Sequence, residues 1–313
     1  MEGVSQRRWI RLAAGGLSLV VVLAGSAASN SFSVATYNLE SYLEVPSGSR
    51  PAKPDAAKAG IRASLLALKP DVLAVQELGT TNALLELRAA LKAEGLDYPF
   101  WEHVTGYDTN IHVAILSRFR FTARRPHPNE GFLLRGRRFR TSRGLAEVDV
   151  QVNSRYRFTL FTAHLKSRRE SPDGLQDEVR EQEALVLRRL IDQRLKVHPD
   201  GNLIVLGDFN DHPDSKCLKI LLGRGRTALV DTRPAEREGG KLSEDTSPAG
   251  ARAITWTHHY AKEDTYSRID YVLISPGMAR EWKTHETFVL RQPEWGVASD
   301  HRPILTSFFA EDR

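Results

Sequence analysis

The stretch NLIVLGDFNDHPDSKCL, residues 202–218, decides how the chain is read. Leu203, Ile204, Val205 and Leu206 form an apolar run that breaks at Gly207 and delivers Asp208 and Asn210. Such a run bounded by a glycine reads as a buried strand. Asp208 and Asn210 are two residues apart, so on a continuing strand they share a side and aim at one place. An ordinary polar turn is the competing reading. Asp211, His212 and Asp214 fit that second reading, as loop and helix-cap residues leading into 215–222.

Similar runs recur on both sides. FSVATYNL (32–39), DVLAVQEL (71–78), IHVAILS (111–117), GLAEVDVQV (144–152) and RFTLFTAHL (157–165) precede it; AITWT (253–257), RIDYVLIS (268–275) and PILTSFF (303–309) follow. All are rich in β-branched or aromatic residues and bounded by turn formers. In 144–152, Ala146, Val148, Val150 and Val152 alternate with Leu145, Glu147 and Asp149, which predicts a strand with the valine face buried. Helical periodicity appears at 55–69, with Ile61, Leu65 and Leu68 on one stripe, and at 80–95, ending at Gly95. A third helix is expected over 175–196, with Leu187, Leu190, Ile191 and Leu195 on its apolar side and Glu178, Arg180, Glu181 and Glu183 at an exposed start. Strand and helix alternate early, whereas strand follows strand over 111–165 and in the last third. That mixture predicts a layered α/β protein with mixed sheets. The polar segment 234–250 and the arginine-rich segment 126–143 read as loops.

Composition is that of a globular protein, 41% hydrophobic and 27% charged over 313 residues, with no internal repeat. Residues 1–29 stand apart. Arg7, Arg8 and Arg11 precede the short apolar run LAAGGLSLVVVLAG (12–25) and then small residues, the pattern of a secretory signal peptide. An uncleaved membrane anchor is the alternative, although the apolar run is short for a span. The expected organisation is therefore a leader, 1–29, and one domain, 30–313, exported to the periplasm or secreted. The formal charge of +5 tilts toward anionic partners. Cys217 is the single cysteine, so no internal disulfide forms. Its leucine and isoleucine neighbours make it a small core residue.

Polar residues recur at or near the ends of the predicted strands, with Asp270 inside 268–275 and Asp300–His301 directly before 303–309. These are Asn38, Glu77, His164, Asp208 with Asn210, Asp270, and Asp300 with His301. Each alone has an ordinary turn or capping explanation. A carboxylate closing a buried apolar run, as Glu77 does, needs a partner or a metal. Together they make a carboxylate, amide and imidazole set without a cysteine cluster, which suits Mg²⁺ or Mn²⁺ far better than structural Zn²⁺. His258 and His259 do not alter this, because neither their spacing nor a third ligand fits a zinc helix; near Trp256 they either line the cleft or pack, and packing is the favoured reading.

TYNLE (36–40), VQE (75–77), TAHLKS (162–167), GDFN (207–210), SRIDYVL (267–273) and SDHRPI (299–304) occur in that order. By these motifs the chain resembles the endonuclease/exonuclease/phosphatase superfamily, the metal-dependent phosphoesterases related to deoxyribonuclease I. The resemblance implies a four-layer α/β/β/α sandwich of two mixed β-sheets with helices outside, and a site where the motifs converge at one edge. It implies Glu77 as principal metal ligand, with Asn38, and Asp300 sharing the metal. It further implies a His301–Asp270 pair, Asp208 orienting or deprotonating the attacking water, Asn210 bonding the phosphoryl oxygen, and His164 contacting phosphate. The expected cofactor is Mg²⁺ or Mn²⁺, and the expected reaction is in-line hydrolysis of a phosphodiester.

Substrate class is less sharply drawn. The arginines at 135, 137, 138, 140 and 143, with RFRFTARR (118–125), could track a nucleic-acid backbone, which favours a nuclease acting on DNA or RNA. A phosphatase of small phosphorylated compounds and a sphingomyelinase-type lipid phosphodiesterase are the alternatives, and a non-catalytic binding module of the same fold is the reading from another class. No stable protein partner is evident, and a monomer is expected.

Overall fold

A computed structural model of the chain describes residues 30–171, 174–238, 241–242, 255–292 and 295–313. The leader expected at 1–29 lies outside the described residues. In chain order the elements are β1 (Ser31–Tyr42), α1 (Asp55–Leu68), β2 (Val72–Leu78), α2 (Thr81–Ala93), β3 (Phe100–Val104), β4 (His112–Ser117), β5 (Phe121–Arg124), β6 (Gly131–Leu134), β7 (Arg137–Arg140), β8 (Ala146–Gln151) and β9 (Arg157–His164). There follow α3 (Gln176–Val197), β10 (Leu203–Asp208), α4 (Lys216–Leu222), β11 (Val230–Asp231), β12 (Ala235–Glu238), β13 (Lys241–Leu242), β14 (His258–Tyr260), β15 (Thr265–Ser267), β16 (Asp270–Ile274), α5 (Pro276–Glu281), β17 (Phe288–Arg291), α6 (Trp295–Ala298) and β18 (Ile304–Phe309).

Two large mixed sheets result. One runs β13-β12-β17-β18-β1-β2-β4-β3 and the other β11-β16-β10-β9-β8-β5. Alternate residues of each central strand enter different cores. Val34, Val72, Ile115, Val148, Leu160, Ile204, Val272 and Ile304 fill the space between the sheets. Ala35, Leu73 and Val75 pack under α1 and α2, against Ile61, Leu65, Leu84 and Leu87. Phe161, Val205 and Leu273 pack under α3 and α4, against Leu187, Ile191, Leu218 and Leu221. Burial on both strand faces explains why 203–206 and 72–75 are continuous apolar runs. Helix, sheet, sheet and helix are the four layers expected. Cys217 is fully buried, and burial pushes its thiol pKa up, as suits a core residue.

Several details differ from the sequence reading. Residues 126–143 are not simply a loop: β6 and β7 form a hairpin whose Phe132 and Phe139 rings stack and rest with Leu134 on Leu175 and Val179. Within the expected polar loop, residues 235–238 add a strand, β12, parallel to β17, and 241–242 pair with it as the edge strand β13; 239–240 and 243–254 lie outside the described residues. Residues 255–257 are not a strand, and pairing starts at His258. The start of α3 is not uniformly exposed, because Arg180 and Glu183 are buried. Glu183 accepts from the Ser142 and Lys166 amides, both at 2.6 Å, and so ties the hairpin exit to the segment after β9. Alternation alone cannot show this, since a buried charge recruited by distant backbone N–H groups has the spacing of an exposed one.

The polar face of β8 is covered as well. Glu147 is buried and receives Arg125 and Arg194, each at 2.5 Å, and His127 at 2.9 Å. Burial alone would raise the Glu147 pKa, but His127, Arg125 and Arg194 hold it below the usual carboxylate range. A depressed native pKa contributes stability that is present above the unfolded value and lost as pH falls through the native one. Glu147→Gln should cost roughly 1–3 kcal/mol at neutral pH, nearer the lower figure because both arginines are partly exposed. Its urea midpoint should approach that of the wild type as pH is lowered through the carboxylate range; a gap independent of pH would remove the charge from the explanation.

Candidate active site

Strand register assembles the centre. In the six-stranded sheet, Asp208 pairs with His164 on one side and with Asp270 on the other. In the eight-stranded sheet, Asn38 and Glu77 lie at the same end of the parallel pair β1 and β2, and Asp300 and His301 immediately precede β18, the other neighbour of β1. The two ends meet across the sandwich, where Asn38 Nδ2 donates to Asp208 Oδ2 at 2.9 Å. A second tie lies deeper, from Gln76 Nε2 to Thr162 Oγ1 at 3.0 Å, with Thr36 Oγ1 donating to Gln76 Oε1. All eight residues expected from the sequence therefore stand at one edge.

The backbone bends sharply to achieve this. Glu40, Ser41, Glu77 and Asn210 have φ of 47°, 55°, 57° and 54°, and the β1–β2 register shifts between Asn38 and Tyr42. Left-handed φ at non-glycine residues costs of order 1–3 kcal/mol each and clusters where function over-determines the structure. Gly207, beside Asp208, has φ 137° and lies so close to β9 that a Cβ would stand 2.0 Å from the Ala163 carbonyl oxygen.

Hydrogen bonding separates the roles open to these groups. His301 Nδ1 donates to Asp270 Oδ2 at 2.8 Å, leaving Nε2 at 3.7 Å from Asp208 Oδ2 and 3.8 Å from Asp300 Oδ1. Burial opposes charge on this ring, but Asp270, then Asp208 and Asp300, outweigh it and lift the His301 pKa to about 10. Burial also pushes Asp208 up to about 7, reinforced by Asp270 and opposed by His301 and Asn38. His164 is held well below its ordinary value by burial and by the positive charges of Arg143, His301 and Arg50, so it is neutral. Its Nε2 lies 3.4 Å from Asp208 Oδ2 and 3.9 Å from Glu77 Oε1. Asn210 donates its backbone N–H to Asp208 Oδ1 and its side-chain amide to Leu165 O and Asp208 Oδ2. In this arrangement the amide positions Asp208 rather than presenting free N–H groups to a phosphoryl oxygen.

The oxygen donors expected for a metal are Asn38, Glu77 and Asp300. Glu77 Oε2 accepts from the Ser41 N–H and hydroxyl, at 3.0 and 3.1 Å, with the Arg50 guanidinium at 3.5 Å, while Oε1 turns toward His164. Two carboxylates and an amide oxygen form the hard donor set that Mg²⁺ or Mn²⁺ takes together with water. On donor chemistry these residues fit such an ion.

Residues beyond these eight also contribute, and Arg50 and Ser41 were not singled out in the sequence. Arg50 and Ser41 brace Glu77. Arg143 Nη1 reaches Leu165 O, the carbonyl that Asn210 also holds. The two neighbouring histidines divide. His259 stacks on Tyr266 and contacts Asp264, whereas His258 lies against His301, with ring centroids 4.5 Å apart, and its Nε2 is 3.6 Å from Asp300 Oδ2. His258 is thus in the cleft and not simply packed, brought there by backbone pairing with His301 that no local pattern signals. Asp300 feels burial, which would raise its pKa, but His258 and His301 hold it below the usual range.

Carboxylates, amides and a His–Asp pair are thus joined at one edge of two packed sheets, an arrangement suited to hydrolytic acid–base chemistry. A family model described as the Endonuclease/Exonuclease/phosphatase family matches residues 35–301, and the chain belongs to that family. No curated protein sequence matches it. Among solved structures it is similar to the human Nocturnin catalytic domain with bound sulfate, at TM-score 0.61 and 17% identity over 89% of this chain and 94% of that one. It is equally similar to truncated Caenorhabditis elegans TDP2, at TM-score 0.61 and 16% identity over 90% and 98% of the two chains. An endonuclease/exonuclease/phosphatase protein from Bacteroides vulgatus matches at 0.57 and 16%, over 90% and 99%. At these identities the likeness is one of fold.

Proposed function

We propose that the protein is an exported, Mg²⁺- or Mn²⁺-dependent phosphodiesterase that acts first of all as a nuclease. The observation carrying this reading is Asp208, buried, flanked in register by His164 and Asp270 and bonded across the sheets to Asn38. Export rests on the leader-like composition of residues 1–29.

A divalent ion bound by Asn38, Glu77 and Asp300 would supply positive charge to the nonbridging phosphoryl oxygens. Asp208, with its proton affinity raised by burial, accepts a proton from water aligned with phosphorus. Asn38 and Asn210 fix both its oxygens, so the carboxylate reaches only one place. The imidazolium of His301, held by Asp270, turns Nε2–H toward the phosphate position and stabilises developing negative charge. Neutral His164 adds a hydrogen-bonding imidazole on the opposite side of Asp208.

A nuclease is favoured over a small-molecule phosphatase by the β6–β7 hairpin. Phe139 faces α3, so the alternating Arg138 and Arg140 face outward, both exposed, near the segment that carries Arg143 into the site. A basic arm beside a phosphodiester-cleaving centre suits a long polyanion. EDTA-treated and Mg²⁺-loaded protein should be compared on plasmid DNA, bis-p-nitrophenyl phosphate and sphingomyelin. Cutting of the plasmid with Mg²⁺, abolished by EDTA and restored by added Mg²⁺, is expected. Equal plasmid cutting in EDTA would rule out the metal, and inactivity on all three substrates with metal present would rule out the hydrolase.

A further inference from the structure

We propose that His258, Asp300 and His301 form a binding site for a borderline divalent cation of the Zn²⁺ class, and that its occupation switches the hydrolase off. The inhibitory half of this inference rests on the function proposed above; the binding half does not.

The three side chains place ligand atoms within 4.8 Å of one another. His258 Nε2 and Asp300 Oδ2 are 3.6 Å apart, and His301 Nε2 and Asp300 Oδ1 are 3.8 Å apart. Nitrogen and oxygen ligands of a tetrahedral zinc stand roughly 3.3 Å apart, so a set that lies within 4.8 Å closes onto the ion by side-chain rotation. Two imidazoles and one carboxylate are borderline donors, whereas Asn38, Glu77 and Asp300 offer oxygen alone.

Two further observations point to a ligand. His301 is 5% exposed, and its Nε2 lies beside two carboxylates beyond hydrogen-bonding distance. Its other nitrogen is held by Asp270, the carboxylate–imidazole support that orients metal-binding histidines and raises their basicity. His258 is fixed by backbone pairing of β14 with the segment before β18: it forms a bridge with His301, and His259 N–H donates to Asp300 O at 2.9 Å. The ligands therefore come preorganised from two segments more than 40 residues apart, an arrangement invisible to ligand spacing along the chain.

Inhibition follows from what the ion takes. It exchanges with the Nε2 proton of His301, which leaves to solvent, and uses the nitrogen lone pair. The same ion engages Asp300, one of the oxygen donors of the hydrolytic metal. His301 Nε2 and Asp300 are then both withdrawn from the hydrolytic centre.

The protein should be titrated with Co²⁺ as a spectroscopic substitute, then with Zn²⁺ as competitor, and in parallel Zn²⁺ should be added to the Mg²⁺-supported phosphodiesterase assay. A visible d–d band displaced by Zn²⁺ is expected, together with inhibition at Zn²⁺ concentrations far below those of Mg²⁺. His258→Asn should weaken both by more than the roughly 10- to 100-fold that losing even an outer-shell partner costs, and His258→Gln serves if the first variant does not fold. His259→Asn, one residue away and turned toward Asp264, should leave both unchanged. A wild-type protein without the Co²⁺ band, or a band unmoved in folded His258 variants, would overturn the site. A His258-dependent band in a protein inactive with every metal would keep the site and sink the hydrolase. Activity with Mg²⁺ that ignores Zn²⁺, despite a His258-dependent band, would overturn the inhibitory role.

Discussion

Asp208→Asn should leave the protein folded and about 10²- to 10⁴-fold less active in kcat/KM on a phosphodiester substrate. The substitution keeps the shape of the side chain and, with its oxygen at the Oδ2 position, still accepts from the Asn38 and Asn210 side-chain amides, while its own NH2 faces the Asn210 N–H. It removes the group that takes the proton. Stability should move the other way. Asp208 is 1% exposed and faces Asp270, so its ionised form is disfavoured in the fold by burial and by like charge. A neutral amide lacks that cost, which offsets the lost bond from the Asn210 N–H, and the thermal midpoint should stay level or rise, the usual exchange between activity and stability at a strained site. A variant retaining most phosphodiesterase activity would remove Asp208 from the chemistry. A variant that is inactive because it unfolds would show that the carboxylate is structural.

Gly207→Ala should be severe for a different reason. The methyl group would meet the Ala163 carbonyl oxygen at 2.0 Å, and φ of 137° is a conformation that L side chains rarely adopt. Backbone strain and overpacking together place the cost on the order of 3–5 kcal/mol, a large share of a typical domain's stability. The shift needed to relieve the clash separates β9 from β10, so His164 and Asp208 lose their register and activity falls as well. Gly95 is the control: its φ is 89° with nothing within 4 Å of a Cβ, so Gly95→Ala should cost about 1 kcal/mol. Urea unfolding of both variants distinguishes the two causes; equal midpoints would show that β9 and β10 accommodate the methyl group.

Much of this was legible in the chain because the strands are buried on both faces. Leu203–Leu206 and Val72–Val75 had to be apolar throughout, so the polar residues ending them stood out. Asp208, Glu77 and Asn38 were visible for that reason. Asp270 and Asp300–His301 needed the motif resemblance as well, since nothing local distinguishes them from turn residues. Arg50 was not legible, and His258 stood in the sequence between packing and the cleft. Each reaches the site through a contact between distant segments, His258 by pairing with His301 and Arg50 by folding back to Glu77. Glu183 and Glu147 misled for the same reason, because the groups that neutralise or solvate them come from elsewhere in the fold. The short strands β3, β5, β12 and β17 carry little periodic signal and owe their conformation to the neighbours they pair with.

The Asn38–Asp208 bond and the Gln76–Thr162 bond behind it give the molecule something a sandwich of apolar faces lacks. Apolar layers can slide over one another at little cost, since hydrophobic contact has no direction. Two buried directional bonds act as keys in a joint and allow only one alignment of the layers. Because half the hydrolytic machinery is fastened to each layer, the joint that sets the alignment also sets the working gap. Recognition can then diversify in the surrounding hairpins without disturbing that gap, in the way a lathe accepts new tools while its bed stays true.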